Sequence, residues 1–142
     1  MENTLDSYLS ILKTEGFKLT PKRKSVIALF IKERRILAPQ DVHQKLKTVI
    51  TPLGLPTIYR ILEELASIGV LVPVVSDDRL LSYALCCKPQ EHHHHFVCRK
   101  CHKVEEVDYC NFEAISKLIA NKLGGLVERH SLNIEGLCVR CK

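Results

Sequence analysis

The sequence predicts an α+β fold in two parts, and three observations carry that prediction. Apolar residues recur at helical spacing through four stretches before residue 70, and two β-branched runs follow them. After residue 95, short strand-like runs surround a single amphipathic helix. Two Cys-x-x-Cys pairs, Cys98/Cys101 and Cys138/Cys141, are separated by 36 residues and would pin the last residues to the middle of the chain.

The elements follow in order. Leu5, Tyr8, Leu9 and Leu12 form one stripe of a short helix that Gly16 ends. Thr20-Pro21 starts a second helix, Thr as cap and Pro where no N–H donor is needed. Its inward residues are Val26, Ile27, Phe30 and Ile31, and Lys22, Arg23 and Lys24 stand at its electropositive start, a phosphate clamp in waiting. Ala38-Pro39 opens a third helix, with Val42, Leu46, Val49 and Ile50 expected inside and His43 read as a packing histidine, not a ligand. After the turn Thr51-Pro52-Leu53-Gly54, a fourth helix from Pro56 to Ser67 buries Ile58, Ile61, Leu62 and Leu65, and Gly69 stops it. Residues 70–75 and 79–85 around the polar turn Ser76-Asp77-Asp78 read as a hairpin.

Helices followed by a hairpin make a winged helix-turn-helix, whose last helix before the wing enters the DNA major groove. Thr57, Tyr59 and Arg60 lie on the first turns of that helix, off its apolar stripe, and are the residues expected to reach bases and phosphates. The bland reading is that Tyr59 caps the core and Arg60 pairs with a surface carboxylate. Charge favours the DNA reading: from Lys13 to Arg60 there are 11 Lys/Arg against three acids, a net of +8, where the whole chain carries +5. Double-stranded DNA is therefore the expected partner.

In the second part, Phe96-Val97 leads as a strand into the first Cys pair and residues 103–107 return from it. Phe112, Ile115, Leu118, Ile119 and Leu123 mark a helix that Gly124-Gly125 breaks. His130, Leu132 and Ile134 then alternate with polar residues as a strand does. An exposed edge on so short a sheet is a liability, and pairing with a second copy would hide it, so a homodimer is expected.

Zinc takes four thiolates at tetrahedral corners, and the two Cys pairs supply four. His92-His93-His94-His95 is a surplus that one such site does not use. On an extended segment side chains alternate, so His92 and His94 face one way and His93 and His95 the other, enough for two further sites. Seven cysteines without a signal-peptide pattern point to a reducing, cytoplasmic compartment in which thiols bind metal. Cys86, Cys87 and Cys110 are left over. No apolar run approaches the ~18 residues of a membrane span.

These segments resemble the ferric uptake regulator (Fur) family of metal-sensing bacterial repressors. The resemblance rests on residues 18–23 (Lys18-Leu19-Thr20-Pro21-Lys22-Arg23), Pro56-Thr57-Ile58-Tyr59-Arg60-Ile61-Leu62 with Gly69, His92 through Cys101, and Gly136-Leu137-Cys138-Val139-Arg140-Cys141. It implies a winged helix over 1–85, a hinge over 86–91 and a dimerisation and metal-binding domain over 92–142. It implies structural zinc at Cys98, Cys101, Cys138 and Cys141, and a second regulatory metal at His92, His94, Glu113 and His130. In the hinge sensing site it matches His93 and His95. Lys18 and Arg23 match family positions near the DNA backbone or minor groove, and Tyr59 the recognition-helix tyrosine.

The remaining hinge ligands separate the branches. Iron sensors use a carboxylate just after the wing and a histidine before the third helix; here those places hold Cys86 and Ile36. Tyr83-Ala84-Leu85-Cys86 is instead similar to the zinc-sensing branch (Zur), in which that cysteine binds regulatory zinc, and a thiolate suits zinc better than ferrous iron. The branch's further ligand from the wing falls on apolar residues here (Pro73 or Val75), which leaves Asp77, Asp78 or Glu106 as stand-ins, with Cys87 a rival to Cys86.

The expectation is thus a metal-dependent repressor of metal-uptake genes, zinc favoured over iron as the regulatory ion, bound to an inverted-repeat operator. Iron-, manganese- or peroxide-sensing regulation is the nearest alternative. A metalloenzyme using the histidines with Glu106 or Glu113 as base is the remote one: no His-Glu-x-x-His or deaminase pattern is present, and an enzyme leaves the basic half unexplained. A zinc buffer would show no operator preference.

Overall fold

The computed structural model describes residues 4–75, 79–86, 89, 92–130 and 132–142. Helices α1 (Leu5–Thr14), α2 (Pro21–Glu33), α3 (Pro39–Leu46) and α4 (Leu55–Ser67) come first. Strands β1 (Leu71–Val75) and β2 (Leu81–Leu85) pair antiparallel, Leu71 opposite Leu85, as the hairpin of a wing. The turn expected at residues 76–78 lies outside the described residues.

Local chemistry sets the helix ends. The Thr20 hydroxyl accepts from the Arg23 N–H at 3.3 Å and Pro21 takes the first helical position of α2. The Asp41 carboxylate accepts the Ala38 N–H at the start of α3. Gly69 turns the chain from α4 into β1 at φ +80°, and a Cβ there would stand 3.2 Å from the Pro89 carbonyl oxygen. Pro89 thus lies close against the turn at the end of α4.

The main core lies among the four helices and the wing. Tyr8, Leu12, Val26, Ile27, Phe30, Val42, Ile58, Leu62 and Leu65 are buried there, on the stripes read from the sequence. One expected core residue is not: α3 stops at Leu46, and Val49, beyond it, is 74% exposed. Leu37 joins the wing as a third chain segment, exchanging two backbone hydrogen bonds of 2.9 Å with Tyr83.

The second part is a three-stranded sheet in the order β4-β3-β5, with β3 at His94–Cys98, β4 at Val104–Val107 and β5 at Asn133–Gly136. β3 runs antiparallel to β4 and parallel to β5. The expected strand from His130 is shorter than its alternation suggested, and His130 lies ahead of it. Helix α5 (Phe112–Leu123) ends on Gly124 at φ +64° and has no buried residue; Ile115, Leu118 and Leu123 are exposed on it. Among the described residues no helix is long and apolar enough to cross a membrane.

The two parts are in contact. Ile36, Val74, Ala84 and Val97 form a small buried cluster with Val104 against it. Arg35 pairs with Lys103 as an isolated antiparallel bridge, and the Ile36 N–H donates to the His102 carbonyl at 3.5 Å. Ile36 is thus an apolar strap between the halves.

Leu62→Ala is expected to cost about 2–5 kcal/mol by urea denaturation. Val49→Ala should stay within about 0.5 kcal/mol, as a solvent-facing change does.

Candidate metal centres and nucleic-acid face

β3 positions the chemistry. His94 to Cys98 lie on one strand, so consecutive side chains leave it on opposite faces. The structure brings His92 and His94 together with Cys110 and His130, and His93 and His95 together with Cys86. At the far end of β3, Cys98 joins Cys101, Cys138 and Cys141. Within each group the ligand atoms lie no more than 4.8 Å apart.

The four-cysteine group is built from two backbone knuckles. Cys98 begins one, with the His102 N–H donating to its carbonyl at 2.8 Å; the Cys141 N–H donates to the Cys138 carbonyl at 2.9 Å in the other. The Cys138 N–H also donates to Cys98 Sγ at 3.4 Å, and Cys101 Sγ lies 3.7 Å from Cys138 Sγ. With zinc–sulfur bonds of about 2.3 Å, tetrahedral sulfurs stand about 3.8 Å apart, so this group fits zinc. Backbone N–H groups of Cys101 and Cys138 aimed at its sulfur hold the Cys98 thiol down at about 5. The Cys138 sulfur beside Cys141, aided by burial, pushes that thiol up to about 12. One sulfur ionises readily and the last resists, and a divalent cation among them lets all four do so.

In the hinge group, Cys86 Sγ is 3.3 Å from His93 Nε2, and His93 Nε2 is 3.0 Å from His95 Nε2. Tetrahedral zinc sets such edges at about 3.3–3.6 Å. Cys86 belongs to the winged-helix half: its N–H donates to Val70 O at 2.9 Å, and the buried Tyr8 hydroxyl donates to its carbonyl at 2.8 Å. His93 and His95 belong to the other half. Glu106, on β4, is the register partner of His95 on β3. Burial and then the neighbouring His93 lower the pKa of His95 against the opposing pull of Glu106, which favours the neutral imidazole that binds metal. Asp77, Asp78 and Cys87 lie outside the described residues.

In the third group, His92 Nε2 is 3.2 Å from Cys110 Sγ and 3.1 Å from His130 Nε2, which is 3.1 Å from Cys110 Sγ and 3.3 Å from His94 Nε2. The Phe112 ring stacks on His130 at 4.9 Å and 19°, fixing that imidazole. Burial, then His92 and His130, lower the pKa of His94. The structure does not bring Glu113 to this group: its side chain is 83% exposed and pairs with Lys117 at 3.0 Å along α5. Cys110, which sequence reasoning left without a role, stands there instead. The sequence offered only a count: after four cysteines are paired three remain, and spacing does not say which of them reaches which histidine pair.

On the winged helix, α4 turns its apolar stripe inward and leaves Tyr59 and Arg60 outside, with Thr57 half-buried. The Tyr59 hydroxyl accepts from Gln40 Nε2 at 3.0 Å, linking α3 to α4. Arg60 lies 3.9 Å from Glu64 with its side chain 68% exposed, a loose pair of the kind the bland reading expected. Lys18 is exposed. Arg23 sits behind this face: its side chain is 17% exposed, its Nε and Nη2 donate to Glu64, and its Nη1 donates to Lys18 O at 3.0 Å.

A winged helix joined to a module carrying clustered Cys and His ligands defines a metal-dependent DNA-binding regulator of transcription, not an enzyme. The chain belongs to the ferric uptake regulator family, whose model matches residues 14–135. It is 31% identical to the ferric uptake regulation protein of Bacillus subtilis (strain 168), over 99% of this chain and 96% of that protein. A solved zinc uptake regulator complexed with zinc and DNA is similar with a TM-score of 0.78 at 25% identity, covering 96% of this chain and 91% of that one. The ferric uptake regulator from Francisella tularensis with iron gives a TM-score of 0.63 at 35% identity, covering 89% and 95%.

Cys98→Ser is expected to remove one metal ion per chain, read by elemental analysis, and to lower Tm in calorimetry. Unchanged metal content and Tm would mean that the four-cysteine group holds no structural ion.

Proposed function

We propose that this chain is a zinc-responsive transcriptional repressor of metal-uptake genes, acting as a homodimer on an inverted-repeat operator. The observation that carries the reading is the hinge group: Cys86 from the winged-helix half stands 3.3 Å from His93 Nε2 of the other half. A thiolate with imidazoles suits zinc, and the place of the iron-sensor histidine is filled by Ile36, 8% exposed among apolar neighbours.

Cys86, His93 and His95, closing on one ion, tie the two halves together. A bound divalent cation supplies only charge and fixed coordination geometry here. The tied halves hold the two recognition helices of a dimer at the spacing of two half-sites. Without the tie, ordering the hinge on DNA costs conformational entropy. The exposed apolar face of α5 and the outer edge of β5 are the surfaces offered to a second copy. Tyr59, Arg60 and Thr57 face the major groove and Lys18 the backbone, while Arg23 braces the start of α2 against α4. Iron sensing is the rival reading, favoured by the 35% identity to the Francisella regulator with iron.

Cys86→Ser should abolish the zinc dependence of operator binding, typically a factor of roughly 5–150 for such coupling, while circular dichroism and dimer mass stay unchanged. Operator binding by Cys86→Ser with the zinc response intact would defeat the hinge assignment. Arg60→Ala should weaken operator binding and reduce its salt dependence without lowering Tm. Arg23→Ala should lower stability by about 1–3 kcal/mol, because it removes the two hydrogen bonds that Glu64 accepts from Arg23 and leaves it only the loose 3.9 Å contact with Arg60; calorimetry separates the two.

A further inference from the structure

We infer that the third group is a site of one cysteine and three histidines for a soft divalent ion, closed by Cys110, and that Glu113 is not one of its ligands. The inference rests on the reading of the histidine groups as metal sites and goes beyond it in naming the fourth ligand and hence the chemistry.

The geometry comes from three separate segments. His92 and His94 come from the start of β3, Cys110 from the link between β4 and α5, and His130 from the segment before β5. Four of the contacts among their ligand atoms run from 3.1 to 3.3 Å. Tetrahedral zinc with nitrogen bonds of about 2.0–2.1 Å and a sulfur bond of about 2.3 Å sets edges of about 3.3–3.6 Å. The atoms therefore need to move apart by only tenths of an ångström to enclose an ion. Phe112 stacked on His130 holds one ring in place before any ion arrives.

Glu113 stands outside the group. Its carboxylate lies one helical turn from Lys117 and bonds to it at 3.0 Å in solvent. Phe112, its neighbour, faces His130, and the next residue on a helix points about 100° away. Replacing a hard carboxylate by a thiolate shifts preference toward zinc and cobalt and away from iron and manganese. The site also becomes a closed four-ligand one, the form of a site that holds its ion.

The test uses the chain with zinc in the four-cysteine group and with Cys86→Ser and Cys87→Ser, so that added cobalt(II) meets one thiolate, Cys110. Cobalt should give a tetrahedral spectrum with a thiolate-to-cobalt charge-transfer band. Adding Cys110→Ser should abolish that band and weaken cobalt binding at least about tenfold, as loss of even an outer-shell partner does. Adding Glu113→Gln should leave both unchanged. A band that survives Cys110→Ser, or that Glu113→Gln removes, overturns the assignment. Alkylation with iodoacetamide, mapped by mass spectrometry on the unsubstituted chain, checks it without mutation. Added zinc should protect Cys110 from alkylation. Zinc bound at this site by N and O ligands, with Cys110 still alkylated, refutes the thiolate alone. No metal bound beyond the four-cysteine and hinge groups refutes the reading of these histidines as a site.

Discussion

Side chains leave an extended strand on alternate faces, and the rest of this structure depends on that constraint at His92–His95. Four consecutive histidines on a helix would scatter around its circumference. On the approach to β3 they separate into two pairs, each meeting a different thiol: Cys86 on one side, Cys110 on the other. The strand must be held still for this to work. β4 and β5 flank it, and its last residue, Cys98, is anchored in the four-cysteine group. One short strand thereby contributes to all three ligand groups.

In the proposed hinge reading, the coupling of metal to DNA would follow from where the ligands originate. Cys86 is fastened to the winged helix through Tyr8 and Val70, whereas both hinge histidines ride on the sheet. The halves already touch through Ile36, Val74, Ala84, Val97 and Val104. Burial of a few such side chains, at about 1.5–3 kcal/mol for each one fully buried, offsets part of the cost of ordering the junction. The ion then has to bias a contact that is partly formed. A coupling of about 1–3 kcal/mol is enough for that, and by reciprocity DNA tightens metal by the same factor.

Much of this was legible in the sequence because caps, stripes and turn residues agreed. Thr20-Pro21 and Ala38-Pro39 marked helix starts that the structure keeps, and strand alternation divided the histidines correctly. The differences between expectation and structure are physical too. Val49 fits a helical period, but α3 ends at Leu46 and leaves it in solvent. Arg23 looked like a free cation because nothing local announces Glu64, 41 residues away. The pairings of Leu37 with Tyr83 and Arg35 with Lys103 are single bridges without a periodic signature. Glu113 fits a family motif in register, yet the rotation of α5 sends it to Lys117 while a loop cysteine reaches the histidines. Helix phase and loop reach are tertiary properties, and spacing along the chain does not encode them.

The measurement that bears most directly on zinc sensing at the hinge is operator binding by the unsubstituted chain, titrated against buffered free zinc and, separately, against ferrous iron under anaerobic conditions. A hinge closed by Cys86, His93 and His95 predicts tight binding at free zinc concentrations far below those at which iron acts. Binding that responds to iron alone would contradict it, and the hinge site would have to be rebuilt around His93, His95 and the carboxylates without Cys86.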